Sequence, residues 1–276
     1  MEQILHVDVQ EPAVLLAADI VFSQKQEWCG GKYRQLKCSL LKPRAHYPYD
    51  DKQARYPLLV FLCGGSFAEV DRNLWMPELT YFAKHGWAVL GVDYSTIQLT
   101  DWPDQLTDVK AAIRYARAHA EEFCIDPDRI AVMGESAGGY LSLLAGCTNG
   151  DARYDIGDYL EQSSAVGAVV AWYPVTEIQR LCKEPFEKTH MPPFTANYPD
   201  LPGLMTPAMP ATMLLHGSGD TLVPCTHSRI LYEALQKNGV DSDLYLINGA
   251  NHADHPFVQE SVKALILKFL NDKLGG

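Results

Sequence analysis

Residues Met133-Gly134-Glu135-Ser136-Ala137-Gly138-Gly139 place a serine between two glycines at G-x-S-x-G spacing. A serine hydroxyl is a weak nucleophile until a base takes its proton, and the base needs a carboxylate to orient it. The run Ile130–Met133 before the motif reads as a buried strand, and Tyr140–Ala145 after it reads as a helix. Strand, sharp turn and helix would lift the Ser136 hydroxyl to the helix N-terminus, where negative charge is favoured. Glycine at 134 and 138 would let helix and strand approach where a side chain would clash.

Nine histidines are available as the base. His252 follows the apolar run Leu244–Ile247 on the Gly-containing stretch Asn248-Gly249-Ala250-Asn251-His252, so it lies just past a strand end. Asp220 lies just past the run Thr212–Leu215, in His216-Gly217-Ser218-Gly219-Asp220. Ligands of open α/β sheets bind at the carboxyl ends of strands. The expected set is therefore Ser136 as nucleophile, His252 as base and Asp220 as orienting acid. His255 is the rival base and Asp254 the rival acid, while His216 and His227 read as structural or pocket-wall residues. His6, His46, His85, His119 and His190 have no strand-end context.

Acyl transfer also needs donors for the developing oxyanion, each worth about 3 kcal/mol. The strand Leu58–Leu62 ends in Cys63-Gly64-Gly65-Ser66-Phe67, a turn able to aim backbone N–H groups at one point. Gly65, Ser66 and Ala137, the residue after the nucleophile, are the expected oxyanion donors. Phe67, Trp102, Glu135, Trp172 and Tyr173 are the candidate substrate contacts. There is no GxGxxG, HExxH or metal-ligand cluster, so no cofactor and no metal are expected.

These residues need a sheet to hold them. Residues 19–23 and 33–41 read as an antiparallel edge hairpin with Gly30 and Gly31 in its turn. The runs 58–62, 87–92, 130–133, 165–171, 212–215 and 244–247 are more apolar, as suits strands covered on both faces. That makes eight strands, mostly parallel, with helices on both faces. Helices are expected over 104–123, where apolar residues recur in steps of three and four, over 226–238 ending at Asn238-Gly239, and over 256–274. Residues 173–210 hold eight prolines, so the segment reads as a lid or binding loop.

The whole chain, 1–276, reads as one domain without repeat or linker. Its 23 basic and 34 acidic residues give a net charge of −11, a poor match for nucleic acid or anionic membranes. Seven scattered cysteines form no CxxC pair and suit reduced thiols in a cytoplasmic protein. No apolar run approaches a membrane span, and residues 1–11 lack the basic and apolar regions of a signal peptide.

With these residues in view, the sequence resembles the α/β-hydrolase superfamily. It is most similar to the hormone-sensitive-lipase-like carboxylesterases and the small bacterial acetyl and feruloyl esterases. The resemblance covers about residues 19–272. It rests on GGSF at 64–67, VDYS at 92–95, IDPDRIAVMGESAGG at 125–139, HGSGDTLVP at 216–224 and NGANH at 248–252. The order Ser136, Asp220, His252 matches the order of that superfamily. Two departures stand out. The usual HGGG of the oxyanion loop is Cys63-Gly64-Gly65-Ser66, which removes the anchoring His and narrows the hole. The short segment before the first strand leaves 173–210 to supply a reduced lid.

The resemblance implies a serine carboxylesterase for small, soluble, short-chain esters, with acetylated sugars and hydroxycinnamate esters as candidate substrates. Arylformamidase or other amide hydrolysis is the alternative on the same scaffold, and a degenerate binding module is the non-enzymatic one. The expected partner is a small-molecule ester, not nucleic acid or membrane. Homo-oligomers are common in such enzymes, although the sequence carries no interface signature.

Overall fold

The computed structural model describes residues 1–26, 30–44, 53–181 and 197–275. The eight expected strands form one sheet: β1 (Ala13–Gln26), β2 (Tyr33–Arg44), β3 (Tyr56–Leu62), β4 (Ala88–Val92), β5 (Ile125–Glu135), β6 (Ala168–Trp172), β7 (Ala211–Gly217) and β8 (Ser242–Ile247). Their order is β1-β2-β4-β3-β5-β6-β7-β8. β1 pairs antiparallel with β2 and β2 with β4, and every other neighbour is parallel. β1 is longer than its sequence signal because register shifts between Ala17 and Ile20 and between Val21 and Ser23 break its alternation. In the expected hairpin turn Gly30 takes a positive φ of 70°, and residues 27–29 lie outside the described set.

Alternation survives even where every residue is apolar. Leu58, Val60 and Leu62 of β3 face one core, with Leu106, Val109 and Ile113 of α2 (Asp104–Ala118) and Leu141 and Leu144 of α4 (Ala137–Cys147). Leu59 and Phe61 face the other core, with Leu79 and Phe82 of α1 (Met76–Lys84) and Ile266 and Leu270 of the C-terminal helix Glu260–Leu274. Helices thus cover both faces, and each core extends along the sheet.

Three helix readings change. α1 had no sequence reading, although Met76, Leu79, Phe82 and Ala83 are its buried stripe and Pro77 occupies its first turn. The helix expected over 104–123 stops at Ala118, and a separate turn, α3 (Ala120–Phe123), follows. Phe123 still packs in the core, so the apolar stripe runs unbroken across the interruption and conceals it. The last helix begins at Glu260 because Gln259 is extended and residues His255–Val258 form their own 3₁₀ turn. The helix Thr226–Lys237 ends as expected, with Gly239 at a φ of 71°.

The described parts of 173–210 are packed. Leu201 donates its N–H to Thr176 O at 2.8 Å, and Tyr198, Leu201, Met205 and Met209 are buried. Residues 182–196, the centre of the expected lid, lie outside the described residues, as do Cys29 and Cys182. Cys38, Cys63, Cys124, Cys147 and Cys225 are free thiols. Among the described residues no helix is long and apolar enough to cross a membrane.

Candidate active site

Ser136 stands at the carboxyl end of β5 with φ 54° and ψ −117°, a backbone conformation that L-residues rarely adopt. Close packing holds it there. A Cβ on Gly134 would lie 2.3 Å from Gly138 O, and one on Gly138 would lie 2.0 Å from Leu62 O. The Ser136 N–H donates to Trp172 O at 2.9 Å, tying the turn to β6.

Two turns further along the sheet meet this serine. Ser136 Oγ lies 3.0 Å from His252 Nε2, and His252 Nδ1 lies 2.7 Å from Asp220 Oδ2. Asp220 Oδ1 accepts the N–H groups of Leu222 at 2.9 Å and Val223 at 2.8 Å. Burial alone would raise the Asp220 carboxyl. Hydrogen bonds from His216 and His252, the charge of His252 and the Val223 N–H outweigh it and hold the group well below the usual carboxylate range. The loops carrying acid and base touch because Gly217 has no side chain: a Cβ there would meet Ala250 O at 2.1 Å.

The rivals are otherwise engaged. Asp254 accepts the N–H groups of Asn251 at 3.1 Å and His255 at 2.8 Å, capping its own turn. His255 is exposed beyond that cap. His227 is buried and neutral: its Nδ1 accepts from Thr176 N at 3.3 Å and Glu177 N at 3.2 Å. Burial, chiefly, pushes its imidazole down to about 4.

The glycine loop after β3 is braced where it leaves the strand. Tyr94 Oη donates to Cys63 O at 2.6 Å, and the Gly64 N–H donates to Glu135 Oε1. Gly65 turns with φ 118°, and a Cβ there would stand 2.0 Å from Glu69 O. Among the described residues the N–H groups of Gly65, Ser66 and Ala137 have no hydrogen-bond acceptor. Gly65 is exposed and Ser66 half-buried. The three expected donors are therefore free, on two turns at the same sheet edge.

Four of the five expected substrate contacts belong to the packing instead. Glu135 is a loop brace: its Oε1 accepts Gly64 N–H and Trp75 Nε1–H at 3.3 Å, and lies 3.6 Å from Cys63 Sγ. Burial raises its carboxyl, against the pull of the Gly64 N–H. So the loop keeps an anchor without the missing His, and the anchor is the residue beside Ser136. Phe67 is fully buried against Tyr140 and Tyr198, with ring centroids 5.6 and 5.0 Å away. Trp172 is buried against Trp75 and Phe257. Tyr173 is buried with its ring 4.6 Å from that of His252, edge to face, so it supports the imidazole from below. Trp102 alone stays half-buried, its ring tilted against those of Tyr198 and Tyr154. Trp75 was not singled out from the sequence, since its indole reaches the site only through the tertiary fold.

The BD-FAE family model matches residues 46–235. The probable carboxylic ester hydrolase LipM of Mycobacterium tuberculosis is 31% identical over 224 residues, which is 76% of this chain and 50% of LipM. The chain spans about half the length of the curated relatives it matches. Among solved structures, a truncated carbohydrate esterase from gut microbiota superposes with a TM-score of 0.73 at 20% identity, covering 97% of this chain and 100% of that one. An acetyl ester-xyloside bifunctional hydrolase from Caldicellulosiruptor lactoaceticus gives 0.72 at 24% identity, covering 92% and 95%. At these identities the likenesses establish the fold, the α/β-hydrolase arrangement of sheet and helices described above.

Proposed function

Given that the chain belongs to the BD-FAE family, we propose that it is a serine carboxylesterase acting on short-chain acyl esters of carbohydrates. The observation that carries this reading is the unbroken contact chain Ser136 Oγ, His252, Asp220, at 3.0 and 2.7 Å, beside three free N–H donors. Such a site suits attack on a carbonyl carbon followed by collapse of a tetrahedral oxyanion. The likeness to the probable carboxylic ester hydrolase LipM supports the choice of bond, and the carbohydrate esterase and acetyl ester-xyloside hydrolase among the structural neighbours support the choice of substrate.

In the first half-reaction Ser136 Oγ attacks the ester carbonyl and passes its proton to His252 Nε2. The oxyanion accepts from Gly65, Ser66 and Ala137 N–H. Collapse breaks the bond to the alcohol, which leaves with the proton from His252. In the second half-reaction water attacks the acyl-serine as His252 takes its proton, and collapse passes that proton to the departing Ser136 Oγ and releases the acid. Asp220 keeps the Nδ1–H tautomer of His252 and stabilises the imidazolium, remaining ionised throughout.

The test is a p-nitrophenyl ester series from C2 to C12 on wild type and Ser136→Ala, followed by acetylated and feruloylated xylo-oligosaccharides. The expected result is a rate maximum at the short end that falls by about 10⁴-fold or more in the variant. A rate that survives Ser136→Ala removes the nucleophile assignment. A wild type inactive on every ester removes the esterase reading.

A further inference from the structure

Asp220 has a second histidine on its other side. His216, on β7, is fully buried, and its Nε2 lies 2.8 Å from Val223 O and 3.3 Å from Asp220 Oδ2. Its Nδ1 lies 2.7 Å from Ser228 Oγ, on the buried face of the helix Thr226–Lys237. The Val223 carbonyl can only accept, so the proton must sit on Nε2. Nδ1 of the neutral ring is then an acceptor, and the Ser228 hydroxyl is its donor. One N–H of His216 therefore points between a carbonyl and the acid.

We infer that His216 is a positioning residue for the proposed hydrolysis: a neutral, Nε2–H imidazole, locked by Ser228, that fixes the direction of the Asp220 carboxylate. The inference rests on the esterase reading above. The carboxylate accepts three N–H groups, from Leu222 and Val223 on Oδ1 and from His252 on Oδ2, and the His216 Nε2–H, bonded to Val223 O, lies 3.3 Å from Oδ2 as a fourth, weaker contact. A swing away from His252 would also carry Oδ2 off this N–H, weakening a charge-assisted contact. The titratable groups around it are Asp220 on its own loop, His252 from the β8 loop and His227 beside Ser228.

The shared carboxylate makes the consequence signed. A donor on Oδ2 draws charge away from the bond to His252. Its removal concentrates that charge on His252 Nδ1–H, so the imidazolium is held more tightly and the acid limb of the pH–rate profile moves to higher pH. At the same time the carboxylate is less well aimed, so kcat falls while KM stays. A residue that merely filled space would lower the yield or melting temperature and leave the limb in place.

The experiment compares wild type, His216→Leu and His216→Gln. Leu keeps the bulk and removes the donor; the Gln side-chain amide restores an N–H near Nε2. For His216→Leu the expected result is a fall in kcat of about tenfold or more, the rate equivalent of one charge-assisted hydrogen bond, with the acid limb displaced upward. His216→Gln should recover most of both. An unchanged limb in a folded His216→Leu protein overturns the inference. Histidine ¹⁵N NMR gives a reading independent of activity and of any variant. In wild type His216 should show the Nε2–H tautomer, and an Nδ1–H tautomer overturns the inference outright. In the Leu variant the low-field Nδ1–H resonance of His252 should move further downfield. Should wild type prove inactive on esters, the esterase reading fails, while the NMR result still decides whether His216 donates to Asp220.

Discussion

The turn carrying Ser136 and the turn carrying Asp220 lie two strands apart in one sheet and are held in different ways. The serine turn is fixed by backbone against backbone: Gly138 sits so close to Leu62 O that even a methyl group would fall 2.0 Å from it. The direction of the acid is fixed by polar contacts, from two N–H groups of its own turn and from the imidazoles of His252 and His216. Gly217 brings the acid loop against the base loop by close approach, but it does not aim the carboxylate. Sterics place Ser136, and electrostatics orient Asp220. The two turns should therefore break under different perturbations.

The largest expected effect is on the steric side. Gly138→Ala must displace the backbone at Leu62 and Cys63, the start of the glycine loop. A loss of about 3 kcal/mol or more of stability is expected from overpacking a site whose neighbours are main chain, with loss of esterase turnover. Thermal unfolding beside an ester assay checks it. Retention of both Tm and rate would mean that the turn is not sterically determined.

A smaller effect tests the seam between the two regimes. Glu135 sits in the serine turn but acts through hydrogen bonds, holding Gly64 N–H and Trp75. Glu135→Ala leaves the Gly64 N–H buried without an acceptor, at a cost of about 1–3 kcal/mol. If that loosening is felt where the oxyanion forms, kcat falls by about 10- to 100-fold with KM little changed. Glu135→Gln, which keeps a carbonyl acceptor, should lie much closer to wild type. Equal losses in both variants would assign the effect to charge rather than to bracing.

The same division explains what could be read in the chain. Ser136, Asp220 and His252 were legible because local signals carry them: an apolar run, a Gly-containing turn, and the polar residue just past it. The eight strands were legible for the same reason, as runs of Val, Leu and Ile. The bracing was not legible. Gly64 and Glu135 are 71 residues apart, and they meet because β3 and β5 are neighbours in the sheet. Phe67, Trp172 and Tyr173 show the converse failure: an aromatic near a motif has the same sequence signature whether it lines a pocket or fills the core beneath it. α1 was not legible because its stripe of Met76, Leu79, Phe82 and Ala83 spans only nine residues, too few for the helical period to stand out.

The smallest effect at neutral pH is expected at His227, and it isolates the electrostatic side. In an unfolded chain this imidazole titrates at about 6.5. In the fold, burial first, then the nearby charge of Arg180, push it down to about 4. Between those values the unfolded chain binds a proton that the folded chain does not, so stability is fullest above about 6.5 and declines as pH falls toward 4. Across the whole window the loss amounts to about 3 kcal/mol. His227→Asn tests this without removing the contact, since the amide oxygen can stand where Nδ1 accepts from Thr176 N and Glu177 N. The variant should be slightly less stable than wild type at pH 7.5, because the fit of the smaller side chain is poorer. It should close or reverse that gap by pH 5, because Asn does not titrate. Urea unfolding at pH 7.5, 6 and 5 reads the difference directly. A gap that stays constant with pH would mean that the imidazole is not held neutral, and the side of the site that depends on charge would then stop at Asp220 and its own partners.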